Sequence, residues 1–92
     1  MSLLKRPTIH YTQLAPLPPG SQLEEEWETY RREVGRLLAE GHEGRCVMIK
    51  GRKILGIWDT LMDAYTEGVN RFLGETFMVQ PIRTQEPVIR IR

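Results

Sequence analysis

Apolar side chains recur three and four positions apart between residues 21 and 39, which predicts an amphipathic helix. The members of this stripe are Leu23, Trp27, Tyr30, Val34, Leu37 and Leu38. At the start of the segment, Ser21 and Glu24 form a capping-box pattern, in which the serine accepts from the Glu24 amide and the glutamate reaches back. Gly41 and Gly44 can end the helix, since glycine adopts the positive φ that a helix end often needs.

Two β-prone runs follow the helix, at residues 46–49 and 54–58. They are separated by the polar residues 50–53, which include a glycine. Two such runs joined by a short polar turn are typical of a β-hairpin.

Alternation along the two strands assigns each residue to a face. Val47 and Ile49 share one face of the first strand, and Leu55 and Ile57 share one face of the second. The residues assigned to the opposite faces are Cys46, Met48, Ile54 and Trp58. Because both faces are apolar, we expect the hairpin to be covered on both sides, by the two helices or by a second subunit.

A second amphipathic helix is predicted over residues 60–73. Thr60 is the predicted N-cap, with Asp63 completing a weaker capping box. The predicted apolar face consists of Leu61, Ala64, Tyr65, Gly68, Val69 and Phe72. Gly74 then ends the helix.

The two ends of the sequence are extended in character. Residues 1–20 are rich in proline, which disfavours helix, and form a predicted arm. Within this arm, residues 8–12 are β-prone and can add an edge strand, although packing on the surface or on a neighbouring copy is the favoured interpretation. At the other end, residues 77–80 form a predicted strand that Pro81 places at a sheet edge or a strand end. A fourth strand is predicted within residues 86–92, in this molecule or across an interface.

These elements predict an α+β fold with a small antiparallel sheet and two amphipathic helices. Their order is arm-α-β-β-α-β-β, with the arm at residues 1–20 and a single domain at residues 21–92. With 92 residues, 40% hydrophobic and 27% charged, the chain has room for one core. No apolar run reaches the roughly 18 residues that a membrane span needs. Without such a span, we expect no membrane partner. One cysteine allows no internal disulfide, so we expect a cytoplasmic protein.

No convergent catalytic set is apparent in the sequence. A Cys46 nucleophile with a His42 base is one possibility, but Cys46 begins a β-prone run and is expected to pack as a small apolar residue. His42, Glu43 and Cys46 are too few ligands for a zinc site in one chain. The glycines form no phosphate-binding motif. We therefore predict no enzyme activity, metal or cofactor.

Basic residues at the predicted hairpin tip and at the C-terminus suggest nucleic-acid binding as the alternative function. Lys50, Arg52 and Lys53 lie at the tip, and Arg90 and Arg92 lie in the tail. A basic hairpin can contact phosphates. The formal net charge is only +1, however, so the bulk charge recommends no polyanionic partner.

The favoured function is a small interaction or accessory module that associates with itself or with a protein partner. Two amphipathic helices and a hairpin with two apolar faces leave more apolar surface than a small sheet covers, and such surface marks interfaces. The candidate interface residues are Trp27, Tyr30, Met48, Trp58, Ile89 and Ile91.

Four segments resemble a family of short, uncharacterised bacterial proteins: residues 44–50, 54–60, 63–68 and 76–80. They match a glycine-basic start, an aliphatic-glycine-aliphatic-aromatic strand, an Asp-Thr helix opening and a closing Phe-aliphatic-Val strand. The chain departs from the family at Cys46, where relatives often carry an aromatic residue, and at Met62-Asp63, where an acidic pair is common. Some relatives are encoded near retropepsin-like proteases. The resemblance thus implies an accessory role, with a nearby protease as a possible partner.

Overall fold

The computed structural model describes residues 8–87 and has the predicted α+β fold. Two α-helices and five short strands follow one another along the described chain, with one 3-10 turn at Tyr11–Gln13. They are β1 (Thr8–His10), α1 (Glu24–Ala39), β2 (Cys46–Lys50), β3 (Lys53–Trp58), α2 (Leu61–Arg71), β4 (Met78–Pro81) and β5 (Gln85–Pro87).

The strands form two antiparallel sheets. The central sheet has the order β3-β2-β4, so β2 is its middle strand and the predicted hairpin is confirmed. Pro81 ends β4 at an edge of this sheet, as its missing amide donor predicts. The second sheet is a two-stranded ribbon in which β1 pairs with β5.

The two helices cover opposite faces of the central sheet. Val47 and Ile49 belong to a core cluster with α1 residues, including Val34 and Leu37. On the other face of β2, Met48 is fully buried where α2 contacts the sheet. The expected burial on both faces is therefore confirmed for β2, within one chain, whereas β3 is only half-buried.

A bulge changes the predicted facing of β3. The β2–β3 register shifts between Met48 and Ile49, so that Ile54 lies opposite Ile49. Ile54 therefore packs with Ile57 against the α1 core. The prediction that Leu55 shares a face with Ile57 is wrong, because strict alternation does not hold across a bulge.

The first helix begins later than its capping-box pattern predicts. α1 starts at Glu24, and the Leu23 side chain makes no cap hydrogen bond. The Ser21 hydroxyl donates to the Pro18 carbonyl at 2.6 Å, while Glu24 accepts from the Gly20 amide at 3.0 Å. Residues 18–24 thus form a turn that precedes the helix. By contrast, the predicted Thr60 cap of α2 is confirmed, since its hydroxyl accepts from the Asp63 amide at 3.1 Å.

The N-terminal segment packs on α1. Leu14 is buried in the same core cluster as Val34 and Ile82. The Trp27 indole donates to the Ala15 carbonyl at 2.8 Å. Within the β-prone residues 8–12, only Thr8–His10 form a strand, which pairs with Gln85–Pro87 instead of extending the central sheet. The remainder of the predicted fourth strand, residues 88–92, lies outside the described residues.

A buried polar contact holds the terminal ribbon to the core. The Tyr30 hydroxyl donates to the Glu86 carboxylate at 2.8 Å, and both residues are buried. The Arg83 amide in turn donates to the Tyr30 oxygen at 3.4 Å. Three parts of the chain therefore meet at the Tyr30 phenol: α1, the loop that follows β4, and strand β5.

A second polar contact holds the hairpin turn to α1. The Glu26 carboxylate accepts from the Gly51 amide at 2.6 Å, and the Thr29 hydroxyl donates to the Gly51 carbonyl at 2.8 Å. Glu26 and Thr29 are both buried. Gly51 has a φ of +61°, a conformation that glycine adopts without strain.

Candidate protein interface

Three large apolar side chains of α2 point away from the core. Leu61 is 53% exposed, Met62 is 70% exposed and Tyr65 is 55% exposed. They lie at positions i, i+1 and i+4, so they occupy one side of the first turns of the helix. Adjacent exposed apolar residues of this kind are typical of an interaction surface.

These side chains border a groove of about 370 Å³ along the edge of the central sheet. The lining residues are Leu23, Leu61, Met62, Tyr65, Phe77, Met78 and Val79. None of them carries a charge. We call this surface, with its groove, the α2–β4 face. Because the groove is uncharged, binding an apolar partner there would remove little water from polar groups.

The floor of the groove exposes backbone hydrogen-bonding groups of β4. Ile82 faces β2, because its amide donates to the Arg45 carbonyl at 2.8 Å and its carbonyl accepts from the Gly44 amide at 2.9 Å. Backbone groups alternate in direction along an antiparallel strand, so Gln80 also faces β2 while Val79 faces outward. Within residues 8–87, β4 has no strand on that outer side. The Val79 N–H and C=O are therefore placed to pair with another strand.

The position of the groove depends on a close contact between α2 and Phe77. The Phe77 ring packs directly on Gly68, and a Cβ built at Gly68 would lie 2.3 Å from the ring. Tyr65 and Phe72 flank Phe77, with ring centroids 6.0 and 6.1 Å away. Gly68 thus lets the helix approach the ring closely and leaves Tyr65 at the surface.

We expect Gly68→Ala to destabilise the protein, although alanine is the better helix former. Helix propensity favours the change by about 1 kcal/mol. The overlap with Phe77 opposes it, and overpacking of this kind costs about 1–3 kcal/mol. Urea unfolding measures the net effect, with Asn70→Ala on the exposed side of α2 as the control. If Gly68→Ala raised the free energy of unfolding as much as Asn70→Ala does, that result would contradict the close contact. Adding Phe77→Leu to Gly68→Ala should recover part of the lost stability.

Comparison with protein-family models, with curated proteins and with solved structures found no match. The resemblance to the short bacterial proteins, and the protease neighbourhood that it implies, therefore stay predictions.

The predicted interface residues occupy several different environments. Tyr30 and Met48 are fully buried within the chain, so assigning them to an interface is wrong: Tyr30 lies in the core between α1 and the sheet, and Met48 is buried where α2 contacts the sheet. Trp27 is partly buried and stacks on Tyr30 at a centroid distance of 5.4 Å. Trp58 is half-buried and its ring lies over Gly56. Ile89 and Ile91 lie outside the described residues.

The exposed residues of α2 were expected in the core. Leu61 and Tyr65 belong to the predicted apolar stripe, but only Ala64 and Gly68 are buried on this helix. The prediction for Leu61 and Tyr65 is wrong because α2 contacts the sheet through its smallest residues, which keeps neighbouring long side chains at the rim. Met62 lies off the stripe, and an apolar residue there is the sequence signal that points to a surface.

The basic residues of the hairpin tip do not form one cluster. The Lys50 ammonium donates to the Thr76 carbonyl at 2.7 Å, lies 3.3 Å from Glu75 and sits 5.0 Å above the Phe72 ring. Arg52 pairs with Glu25 at 3.4 Å on the α1 side.

Lys53 is exposed at the start of β3. Arg90 and Arg92 lie outside the described residues. Nucleic-acid binding stays a prediction, and the ion pairs of Lys50 and Arg52 do not favour it.

Cys46 is a buried residue at the start of β2, as expected for a small apolar packing residue. Burial raises the pKa of its thiol, and the charge of Arg83 opposes this only in part. The thiol is thus held in its protonated, weakly nucleophilic form. His42 lies in the loop after α1, where its Nε2 is 3.7 Å from the Glu40 carboxylate.

Within residues 8–87, no three His, Cys, Asp or Glu side chains converge in a way that could hold a metal ion. The described helices also include none with the length and apolar character needed to cross a bilayer.

Proposed function

We propose that this protein is a small, non-catalytic interaction module that binds a protein partner through the α2–β4 face. The observation that carries the proposal is the exposure of Leu61, Met62 and Tyr65 beside an uncharged groove. A side chain that is still half or more exposed after folding contributes little to the stability of the folded chain. It is available to stabilise a complex instead.

The apolar contacts on this face supply part of the free energy of a transient complex. Fully burying a Leu or Met side chain is worth about 1.5–3 kcal/mol, so the exposed fractions of these three residues correspond to roughly 3–5 kcal/mol. Association opposes this gain through lost rigid-body freedom. Hydrogen bonds to the outward-facing Val79 backbone supply a second, directional contribution, as in proteins that bind a peptide as an added strand.

An accessory role in the cytoplasm completes the proposal. The single cysteine gives no disulfide, which fits a reducing compartment. The resemblance to proteins encoded near retropepsin-like proteases makes such a protease one candidate partner, and a second copy of the chain is another.

A photo-crosslinking amino acid placed at position 62 tests this function in cells. Met62 is 70% exposed in the α2–β4 face, while Leu73 is 78% exposed outside the groove lining, so position 73 is a matched control. We expect discrete protein adducts from position 62 and none from position 73. Identical adduct patterns, or none from position 62, would contradict the proposal. The adduct mass distinguishes a second copy from a different protein.

A further inference from the structure

We infer that the partner of the α2–β4 face is a second copy of this chain, bound as a two-fold dimer in which the β4 strands pair. This inference rests on the proposed function and specifies the partner. It begins from a difference between the two edges of the central sheet. The β3 edge carries a bulge at Leu55 and the exposed Lys53, both of which hinder pairing with another strand. The β4 edge, Met78–Pro81, carries no charged residue.

The geometry of β4 fits pairing with itself. Val79 is the outward-facing residue at the groove, and in an antiparallel pair two such residues exchange both of their N–H···O=C bonds. A two-fold axis between Val79 and the same residue of the second copy would satisfy all four groups. Pro81 limits the pairing, since it has no N–H and its carbonyl is 3.2 Å from the Tyr30 hydroxyl.

The charge of the molecule permits this arrangement. A two-fold interface brings the same patch of both subunits together, so any charge in the patch would face its own kind. The groove lining has no charged residue, and the chain has a formal net charge of +1. Repulsion between copies is therefore small. Because both copies present the same apolar patch, apolar side chains of each copy can cover the groove of the other.

The available area sets the expected strength of the dimer. The exposed parts of Leu61, Met62 and Tyr65 amount to roughly 300–400 Å² per copy, comparable with the largest apolar patch of a typical monomer. Stable interfaces bury about 800 Å² per partner, and transient ones less than about 600 Å². Strand pairing and the rest of the groove lining add to the three side chains. The expected dimer is therefore weak and reversible.

The dimer is closed. Pairing of two β4 strands joins the central sheets into one continuous sheet whose outer edges are both β3. Because each β3 edge carries a bulge and Lys53, we expect growth to stop at two copies.

Sedimentation equilibrium from low micromolar to near-millimolar protein tests this inference. The wild-type chain should pass from monomer to dimer and no further. Met62→Asp places like charges in both halves of the interface and should weaken the dimer by about tenfold or more. Val79→Pro removes the outward N–H without removing a bond to β2 and should also weaken it. Leu73→Asp, with the same charge outside the groove, should leave the dimer unchanged.

A mixture of Met62→Asp and Met62→Lys chains adds a test that misfolding cannot imitate. Each variant alone should be largely monomeric at concentrations where the wild-type chain is a dimer, and at those concentrations the mixture should form a heterodimer. A wild-type monomer throughout the concentration range, a dimer unaffected by Met62→Asp, or a mixture that stays monomeric would overturn the inference. A monomeric chain that still gives adducts with another protein from position 62 would overturn the dimer but leave the proposed function standing.

Discussion

Tyr30→Ala should remove a large share of the protein's stability. Tyr30 is fully buried and packs in the core with Val34 and Leu37. Removing a buried aromatic ring costs about 3–5 kcal/mol. A domain of this size has a total stability of about 5–15 kcal/mol. Circular dichroism with urea unfolding measures the loss, and a stability within about 1 kcal/mol of wild type would contradict the described core.

Tyr30→Phe separates the hydroxyl from the ring. Burial, with the Glu86 hydrogen bond and charge as smaller causes, raises the pKa of Tyr30, so the phenol stays protonated and donates. Without that donor the buried Glu86 carboxylate loses its closest partner, at an expected loss of about 1–3 kcal/mol. Adding Glu86→Leu removes both partners and should recover part of that loss. Independent, additive effects of the two changes would show that the contact is absent in solution.

Glu86→Gln should make the protein less sensitive to pH above the ordinary carboxyl pKa. Burial raises the pKa of the Glu86 carboxyl, and this outweighs the opposing effects of the Tyr30 hydrogen bond, the Arg83 charge and the Gln80 amide. A group with a raised pKa binds its proton more tightly in the folded than in the unfolded state. Its contribution to stability is therefore largest below the ordinary carboxyl pKa and falls as the pH rises through the folded value.

Glutamine keeps an oxygen that accepts from Tyr30 and has no charge to bury. The Glu86→Gln protein should match wild type at the acidic end and exceed its stability at neutral pH. Urea unfolding at a series of pH values measures the difference. Asp59→Asn is the control, because the Asp59 side chain is 81% exposed. A difference between Glu86→Gln and wild type that does not change with pH would contradict the burial of a raised-pKa carboxyl.

Local patterns predicted most of the secondary structure. The apolar spacing of α1, the Thr60 cap and the hairpin turn each depend on residues close in sequence, so they could be recognised without knowing the fold. The errors have non-local causes. Ser21 does not cap α1 because its hydroxyl donates to the Pro18 carbonyl. The predicted face of Leu55 is wrong because a bulge shifts the β2–β3 register.

The candidate interface was less accessible to sequence reasoning. The apolar pattern of α2 identifies a helix, but does not show which part of a wide apolar face contacts the sheet. Ala64 and Gly68 determine which part makes the contact, because their small size brings the helix close to the sheet and leaves Leu61 and Tyr65 exposed. The buried partnership of Tyr30 with Glu86, 56 positions away, likewise has no local signature.

Amide hydrogen exchange at Val79 tests the central claim most directly, since its N–H faces the groove and has no strand partner within the described residues. NMR at low and at high protein concentration would follow this amide together with that of Arg52 at the hairpin tip. We predict that protection of Val79 increases with concentration while Arg52 is unchanged. Equal exchange at Val79 across the concentration range, or protection that appears at Arg52 instead, would contradict a dimer formed through the α2–β4 face.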